Sequence, residues 1–100
     1  MASEHVETDE DFIWRQGRAV VALSWESGQW QVSYLVTSRL LGPRQMLYQR
    51  IHKDPKLAAW DVMARVIVAS HNEQEGVDAA KHAVQWMKRR SEWSEMLPHA

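Results

Sequence analysis

Hydrophobic and polar residues alternate along most of the segment 17–39, and this period of two predicts β-strands. The alternation is interrupted at Glu26-Ser27-Gly28-Gln29, where Gly28 allows the positive φ of a tight turn. The two halves therefore form a predicted hairpin, whose register is well specified because a one-residue slip moves the apolar side chains to the wrong face. The predicted pairs on the apolar face are Trp25 with Trp30, Leu23 with Val32, Val21 with Tyr34 and Ala19 with Val36.

A third strand is predicted over residues 45–52, after a turn at Leu40-Leu41-Gly42-Pro43. Its alternation is less regular, and both of its faces are mixed in polarity. Such a pattern is typical of an edge strand, and Arg50 and Lys53 would discourage pairing with another chain.

A first helix is predicted to begin at Asp54-Pro55, because an aspartate N-cap accepts from a free amide and proline has no amide to satisfy. Apolar residues at helical spacing continue it to about His71. The apolar arc includes Trp60 and is expected to cover the sheet. Asp61 and Arg65 fall on the opposite arc, where their spacing predicts an exposed ion pair.

A second helix is predicted over about residues 77–92, after a break at 72–76 in which Gly76 can end a helix. The predicted fold is therefore α+β: a three-stranded antiparallel sheet (β-β-β) is followed by two helices packed on one face.

Composition and charge divide the chain unevenly. Its 100 residues suffice for one domain, and the absence of cysteine excludes disulfides and thiol chemistry. Residues 1–13 contain five acidic residues and no lysine or arginine, whereas residues 14–60 contain seven basic and two acidic residues. We therefore predict an acidic, flexible N-terminal arm (1–13) and a single α+β domain (14–100). The alternative is that the acidic strip meets a basic partner or folds over the chain's own basic segment.

Catalytic and cofactor-binding motifs are not found in the sequence. The chain has no Gly-x-Ser-x-Gly or Ser-x-x-Lys nucleophile motif and no phosphate-binding glycine loop. It also has no His-Glu-x-x-His or His-x-His spacing, and Gly76 lies between His71 and His82. We therefore expect no enzymatic activity, no cofactor and no metal site.

Six tryptophans against one phenylalanine favour contacts with another protein. Trp25, Trp30 and Trp60 are expected in the core, whereas the other three are harder to bury in a small globule. Tryptophan and arginine are also enriched at binding hot spots. The predicted partner-binding residues are Trp14, Trp86, Lys88, Arg89, Arg90 and Trp93.

A basic stretch around the predicted edge strand suggests nucleic acid as an alternative partner. Its cations would contact phosphates, and the aromatic residue among them would stack on a base. Against this stands the sequence pI of about 6.5, which is low for a nucleic-acid-binding domain. The candidate residues are Arg39, Arg44, Tyr48, Arg50, Lys53 and Lys56.

Three functional hypotheses follow. The first is a non-enzymatic binding module that inhibits or regulates a larger protein or nucleoprotein complex. Phage and plasmid inhibitors of host defence complexes, such as anti-CRISPR proteins, are similar in size and organisation, although no motif carries this likeness. The second is a nucleic-acid-binding regulator. The third is a homodimeric accessory subunit with Trp86 and Trp93 on a shared face.

Because no apolar leader or membrane-spanning run is visible, we expect a cytoplasmic protein without membrane contacts.

Overall fold

A computed structural model describes the backbone of residues 3–38 and 42–96 and the side chains of residues 3–37 and 45–90. Within these ranges, five strands precede two helices. The strands are β1 (Glu4–Glu7), β2 (Asp11–Gln16), β3 (Ala19–Glu26), β4 (Gln29–Ser38) and β5 (Gly42–His52), and the helices are α1 (Pro55–Ser70) and α2 (Glu73–Met96). The predicted class, an antiparallel sheet followed by two helices, is confirmed.

The strands pair antiparallel in chain order, from β1 at one edge to β5 at the other. The predicted count of three strands is wrong, because the described part of the sheet contains five. The two additional strands are N-terminal, and the predicted boundary between residues 13 and 14 falls inside β2. β2 forms because Phe12 and Trp14 lie on one face of the strand and are buried opposite Leu23 and Val21 of β3.

A polar turn closes the N-terminal hairpin. The Thr8 amide donates to the Asp11 carbonyl at 2.8 Å. The Thr8 hydroxyl oxygen accepts from the amides of Glu10 and Asp11 at 3.2 and 2.9 Å. These bonds satisfy the backbone of an acidic segment that has little apolar surface to bury, so side chain-to-backbone bonding stabilises the turn.

The hairpin of β3 and β4 has the predicted register, from Ala19 opposite Val36 to Trp25 opposite Trp30. Ser27 and Gly28 form its turn, and both have positive φ, at 53° and 78°. Two successive residues with positive φ are typical of the type I′ turn, whose twist matches that of the strands.

The edge strand β5 is longer than predicted and pairs irregularly with β4. Tyr34 lies opposite Tyr48, whereas the next residue, Leu35, lies opposite Met46. Leu47 is therefore the extra residue of a β-bulge, which bends the strand and re-aims its side chains.

The helix α1 begins as predicted. The Asp54 side chain accepts from the Lys56 amide at 2.8 Å, and Pro55 is the first helical residue. The helix ends at Ser70, where His71 adopts a left-handed conformation with φ 56° and donates its amide to the Ile67 carbonyl. This is a standard way of satisfying a carbonyl at a helix C-terminus.

The helix α2 begins at Glu73, four residues earlier than predicted. The break between the helices is shorter than the predicted 72–76, because Asn72 caps α2: its side-chain oxygen accepts from the Glu75 amide at 3.2 Å. Gly76 lies inside α2, where a Cβ atom would be 2.4 Å from Cγ1 of Ile67. The glycine is therefore needed for the close approach of the two helices rather than for a helix end. Neither helix, as far as the chain is described, has the length and apolarity to cross a membrane.

One hydrophobic core lies between the sheet and the helices. Strands β2, β3 and β4 contribute alternate residues to it, and both helices contribute small and large apolar residues. Its buried members are Phe12, Trp14, Val21, Leu23, Trp30, Val32, Ala58, Ala59, Val62, Val66, Ala79, Ala83, Trp86 and Met87.

The orientation of α1 differs from the prediction. Ala58, Val62 and Val66 form its fully buried stripe. Trp60, predicted to lie in the core, is 67% exposed, and Asp61, predicted to face solvent, is 8% exposed. The reason is that α1 has apolar residues around more than half of its circumference, so packing partners rather than the apolar pattern decide which stripe faces the sheet.

Candidate functional site

A solvent-exposed groove follows the contact between α1 and α2 and has a volume of about 450 Å³. Apolar side chains from both helices line it, and Trp60 stands beside them with most of its ring exposed. Among the described lining residues, two are lysines and none is acidic. The lining residues are Ala59, Trp60, Met63, Val77, Ala80, Lys81, Val84, Gln85 and Lys88.

The groove arises from helical spacing. Ala59 and Met63 lie one turn apart on α1, and Val77, Ala80 and Val84 recur at three- and four-residue intervals on α2. Alanines at two of these positions leave room between the larger side chains. The arrangement offers a partner an apolar surface with positive charges beside it.

Two of the predicted partner-binding tryptophans lie in the core. Trp14 and Trp86 are each 3% exposed. The indole Nε1 of Trp86 donates to the Thr8 carbonyl at 2.8 Å, so the buried ring also satisfies its polar atom. Both rings belong to the core between the sheet and the helices, so in this conformation neither is exposed for contact with a partner or a second copy.

The predicted basic cluster of α2 is divided between different environments. Lys88 lines the groove. Arg89 forms an ion pair with Glu7 of β1, and the Arg90 guanidinium lies 5.4 Å from the centre of the Trp86 ring. The ion pair connects the acidic N-terminal segment to α2. Trp93 belongs to α2 but lies outside the residues whose side chains are described.

The predicted nucleic-acid surface is brought together only in part. Arg50, Lys53 and Lys56 are exposed near the connection from β5 to α1. The side chains of Arg39 and Arg44 lie outside the described residues. Tyr48, predicted to stack on a base, instead hydrogen-bonds Asp61, and the Arg65 guanidinium carbon lies 4.2 Å from its ring centre.

A polar cluster surrounds the Asp61 carboxylate between β5 and α1. The Tyr48 hydroxyl donates to Asp61 Oδ2 at 2.8 Å, and His52 Nε2 donates to the same oxygen at 2.7 Å. Arg65 Nε lies 3.5 Å from Oδ1, which confirms the predicted i,i+4 pair. Two hydrogen bonds and one nearby guanidinium therefore compensate the burial of one carboxylate.

This cluster connects an edge strand to the helix that covers it. An aspartate–histidine pair also occurs in hydrolases, where the histidine then activates a hydroxyl nucleophile. Within the described residues, His52 hydrogen-bonds Asp61 and no serine or threonine hydroxyl. The geometry therefore supports a structural role, in which Asp61 holds β5 against α1.

A second cluster of polar side chains lies between β1 and α2. His5 and Glu7 share one face of β1, and His5 Nε2 is 3.3 Å from Glu7 Oε2. The His5 ring stacks on that of His82, with centroids 4.2 Å apart. One ligand atom from each of these three residues lies within 4.8 Å of the others. The sequence predicts no metal site because no short ligand spacing is present, and such spacings do not detect ligands that are far apart along the chain.

The sequence pattern does not reveal the groove, because it predicts Trp60 in the core. One signal was present in the sequence: the apolar residues of α1 form two parallel stripes, Ala58-Val62-Val66 and Ala59-Met63-Ile67. Two stripes indicate two contacting surfaces, one for the sheet and one for a second helix.

Comparisons of this chain with protein-family models, curated proteins and solved structures found no match.

Proposed function

We propose that this protein is a non-enzymatic binding module whose α1–α2 groove receives a segment of a larger partner protein. The observation that carries the proposal is the exposure of Trp60 beside an apolar groove. A 67% exposed indole contributes little to the fold, because most of its surface stays in water. The same surface would become a major source of binding energy when a partner covers it, since tryptophan is enriched at binding hot spots.

The charges around the groove indicate the chemistry of the partner segment. Lys81 and Lys88 are seven residues apart on α2, which is two helical turns or about 10 Å. A partner with apolar side chains flanked by carboxylates would complement both the groove and these lysines. An amphipathic helix fits best, because a third helix packs naturally into the groove between two others and presents anchors at i, i+3, i+4 and i+7.

A module of this size acts by occupying its partner's surface, which is the mode of action of stoichiometric inhibitors and regulators. Phage- or plasmid-type inhibitors of host defence complexes, such as anti-CRISPR proteins, remain the example that the size and organisation of the chain suggest.

Selection from a random peptide library tests the proposal without a known partner. The wild-type protein should select peptides with aromatic or aliphatic residues at helical spacing next to aspartate or glutamate. Trp60→Ala should weaken the binding of the selected peptides by at least tenfold, since hot-spot truncation costs about 2 kcal/mol or more. Leu57→Ala is the matched control, because Leu57 is 56% exposed on the same helix but does not line the groove.

The stability of these variants separates binding from folding. Both replaced side chains are largely exposed, so each variant should unfold within about 0.5 kcal/mol of the wild type. Peptides that bind Trp60→Ala as tightly as the wild type would show that the groove is not the binding site.

Nucleic-acid binding remains the second candidate, because Arg50, Lys53 and Lys56 are exposed near the connection from β5 to α1. A gel shift with DNA and RNA at low salt tests it. Binding that weakens steeply with salt and is lost when these three residues are replaced by alanine would support this function. Arg18→Ala is the control here, because Arg18 is an exposed arginine in the β2–β3 turn, outside this basic surface.

A further inference from the structure

The N-terminal strand and the last helix place two imidazoles and one carboxylate together at the surface. His5 and Glu7 come from β1, and His82 comes from α2, about three quarters of the chain away. Two neutral imidazoles and a carboxylate are the ligand set of many zinc sites that keep a further position for water or substrate. We propose that these three residues bind a divalent transition-metal ion of the zinc class.

The distances suit such an ion. With zinc–nitrogen and zinc–oxygen bonds of about 2.1 Å at a tetrahedral angle, two ligand atoms lie about 3.4 Å apart. His5 Nε2 and Glu7 Oε2 are 3.3 Å apart, which matches this edge of the tetrahedron. The largest separation within the set, up to 4.8 Å, must contract by somewhat more than 1 Å.

Side-chain rotation provides this contraction. The His5 and His82 rings are stacked with their planes 25° apart, so their nitrogens do not yet converge on one point. Both residues are exposed, and the terminal torsion of histidine has a broad energy profile. Because His5 Nε2 already lies 3.3 Å from Glu7 Oε2, the movement required is mainly a rotation of the His82 ring.

The two carboxylate oxygens of Glu7 have different neighbours. Arg89 pairs with Oε1, whereas Oε2 faces His5. The arginine therefore orients the carboxylate and leaves one oxygen for the ion, in the way that hydrogen-bonding partners orient metal-ligating carboxylates. The positive charge of Arg89 also repels the metal ion, so we expect a zinc affinity below that of structural zinc sites.

The ion would tie the exposed edge strand β1 to α2 next to the hydrogen bond from Trp86 to Thr8. Because the ligands come together only in the folded chain, binding stabilises the fold by mass action. This inference does not depend on the proposed protein-binding groove, whose lining residues include none of the three ligands.

The test is calorimetric titration of the untagged protein with zinc chloride, accompanied by visible absorption spectra of the cobalt(II) form. We expect one ion per chain and an increase in the thermal midpoint at saturating zinc. His5→Ala and His82→Ala should each weaken binding by at least about tenfold, since even outer-shell partners of metal ligands contribute about 10–100-fold.

His71→Ala is the matched control, because His71 is an exposed histidine in the connection between α1 and α2 and should leave the affinity unchanged. Circular dichroism of each variant checks that it remains folded, and His5→Gln and His82→Gln replace the alanine variants if they do not. The proposal is overturned by the absence of saturable binding at about 0.1 mM zinc. It is equally overturned if binding survives both ligand variants, or if His71→Ala weakens it as much.

Discussion

Replacement of Asp61 by alanine tests how the edge strand β5 is held against α1. The carboxylate is 8% exposed and accepts from the Tyr48 hydroxyl and from His52 Nε2. Hydrogen bonds to a charged group contribute about 1.5–3 kcal/mol each, and a donor left buried without a partner costs about 1–3 kcal/mol. Breaking a buried ionic cluster by removing one member typically costs about 3–5 kcal/mol.

We therefore expect Asp61→Ala to lower the free energy of unfolding by about 3–5 kcal/mol. A domain of this size has a total stability of about 5–15 kcal/mol, so this loss is a substantial fraction of the total. If aspartate at this position faced solvent, as the sequence pattern predicts, the same substitution would change the stability by only about 0.5 kcal/mol. The two expectations differ enough for one measurement to decide between them.

Urea unfolding at neutral pH, followed by tryptophan fluorescence and far-ultraviolet circular dichroism, is the appropriate assay. Tyr48→Phe removes one donor only and should cost about 1.5–3 kcal/mol. Asp9→Ala is the matched control, because Asp9 is an exposed aspartate in the β1–β2 turn and should cost no more than about 0.5 kcal/mol. A loss below about 1 kcal/mol in Asp61→Ala would refute the buried cluster.

Two further substitutions test contacts that involve α2. Gly76→Ala should destabilise the protein by up to about 2 kcal/mol in the same assay, because overpacking against Ile67 costs about 1–3 kcal/mol and the gain in helix propensity offsets about 1 kcal/mol of it. An increase in stability would show that the helices are further apart. Trp86→Phe removes the donor to Thr8 and should lower hydrogen-exchange protection in β1 while leaving that of β3 unchanged. Equal loss in both strands would show that the hydrogen bond does not anchor β1 separately.

The hairpin of β3 and β4 could be predicted residue by residue. Large apolar side chains recur at every second position on one face, and Gly28 marks the turn, so both the strand period and the loop length determine the register. The start of α1 was predictable for a similar reason, because the Asp54-Pro55 pair satisfies a helix N-terminus with local atoms alone.

The N-terminal hairpin was not predicted because its strongest local signal is charge. All four residues of β1 are exposed, and the strand exists through backbone pairing with β2 and through contacts with α2. Trp86 and Arg89 supply those contacts from more than 75 residues away. These partners cannot be recognised from the residues next to β1 in the sequence. The composition of the segment therefore predicts a flexible arm.

The candidate sites were predictable only in their residue types. Tryptophans and basic residues of α2 were expected at a binding surface, and Lys88 does line the groove. The rotation of α1 was not predictable, because its two apolar stripes are equivalent in sequence. Trp60, which the sequence pattern predicts in the core, is therefore exposed, whereas Trp86, which it predicts at the surface, is buried.

The sequence by itself determined the class of fold, the central hairpin and its register, and the beginning of α1, because each depends on atoms within a few residues of one another. The tertiary structure decided the strand count, the exposure of each tryptophan, the burial of Asp61 and the meeting of His5 with His82. These features depend on which surfaces pack together, and that choice minimises exposed apolar area and unsatisfied polar atoms over the whole chain rather than within any one segment.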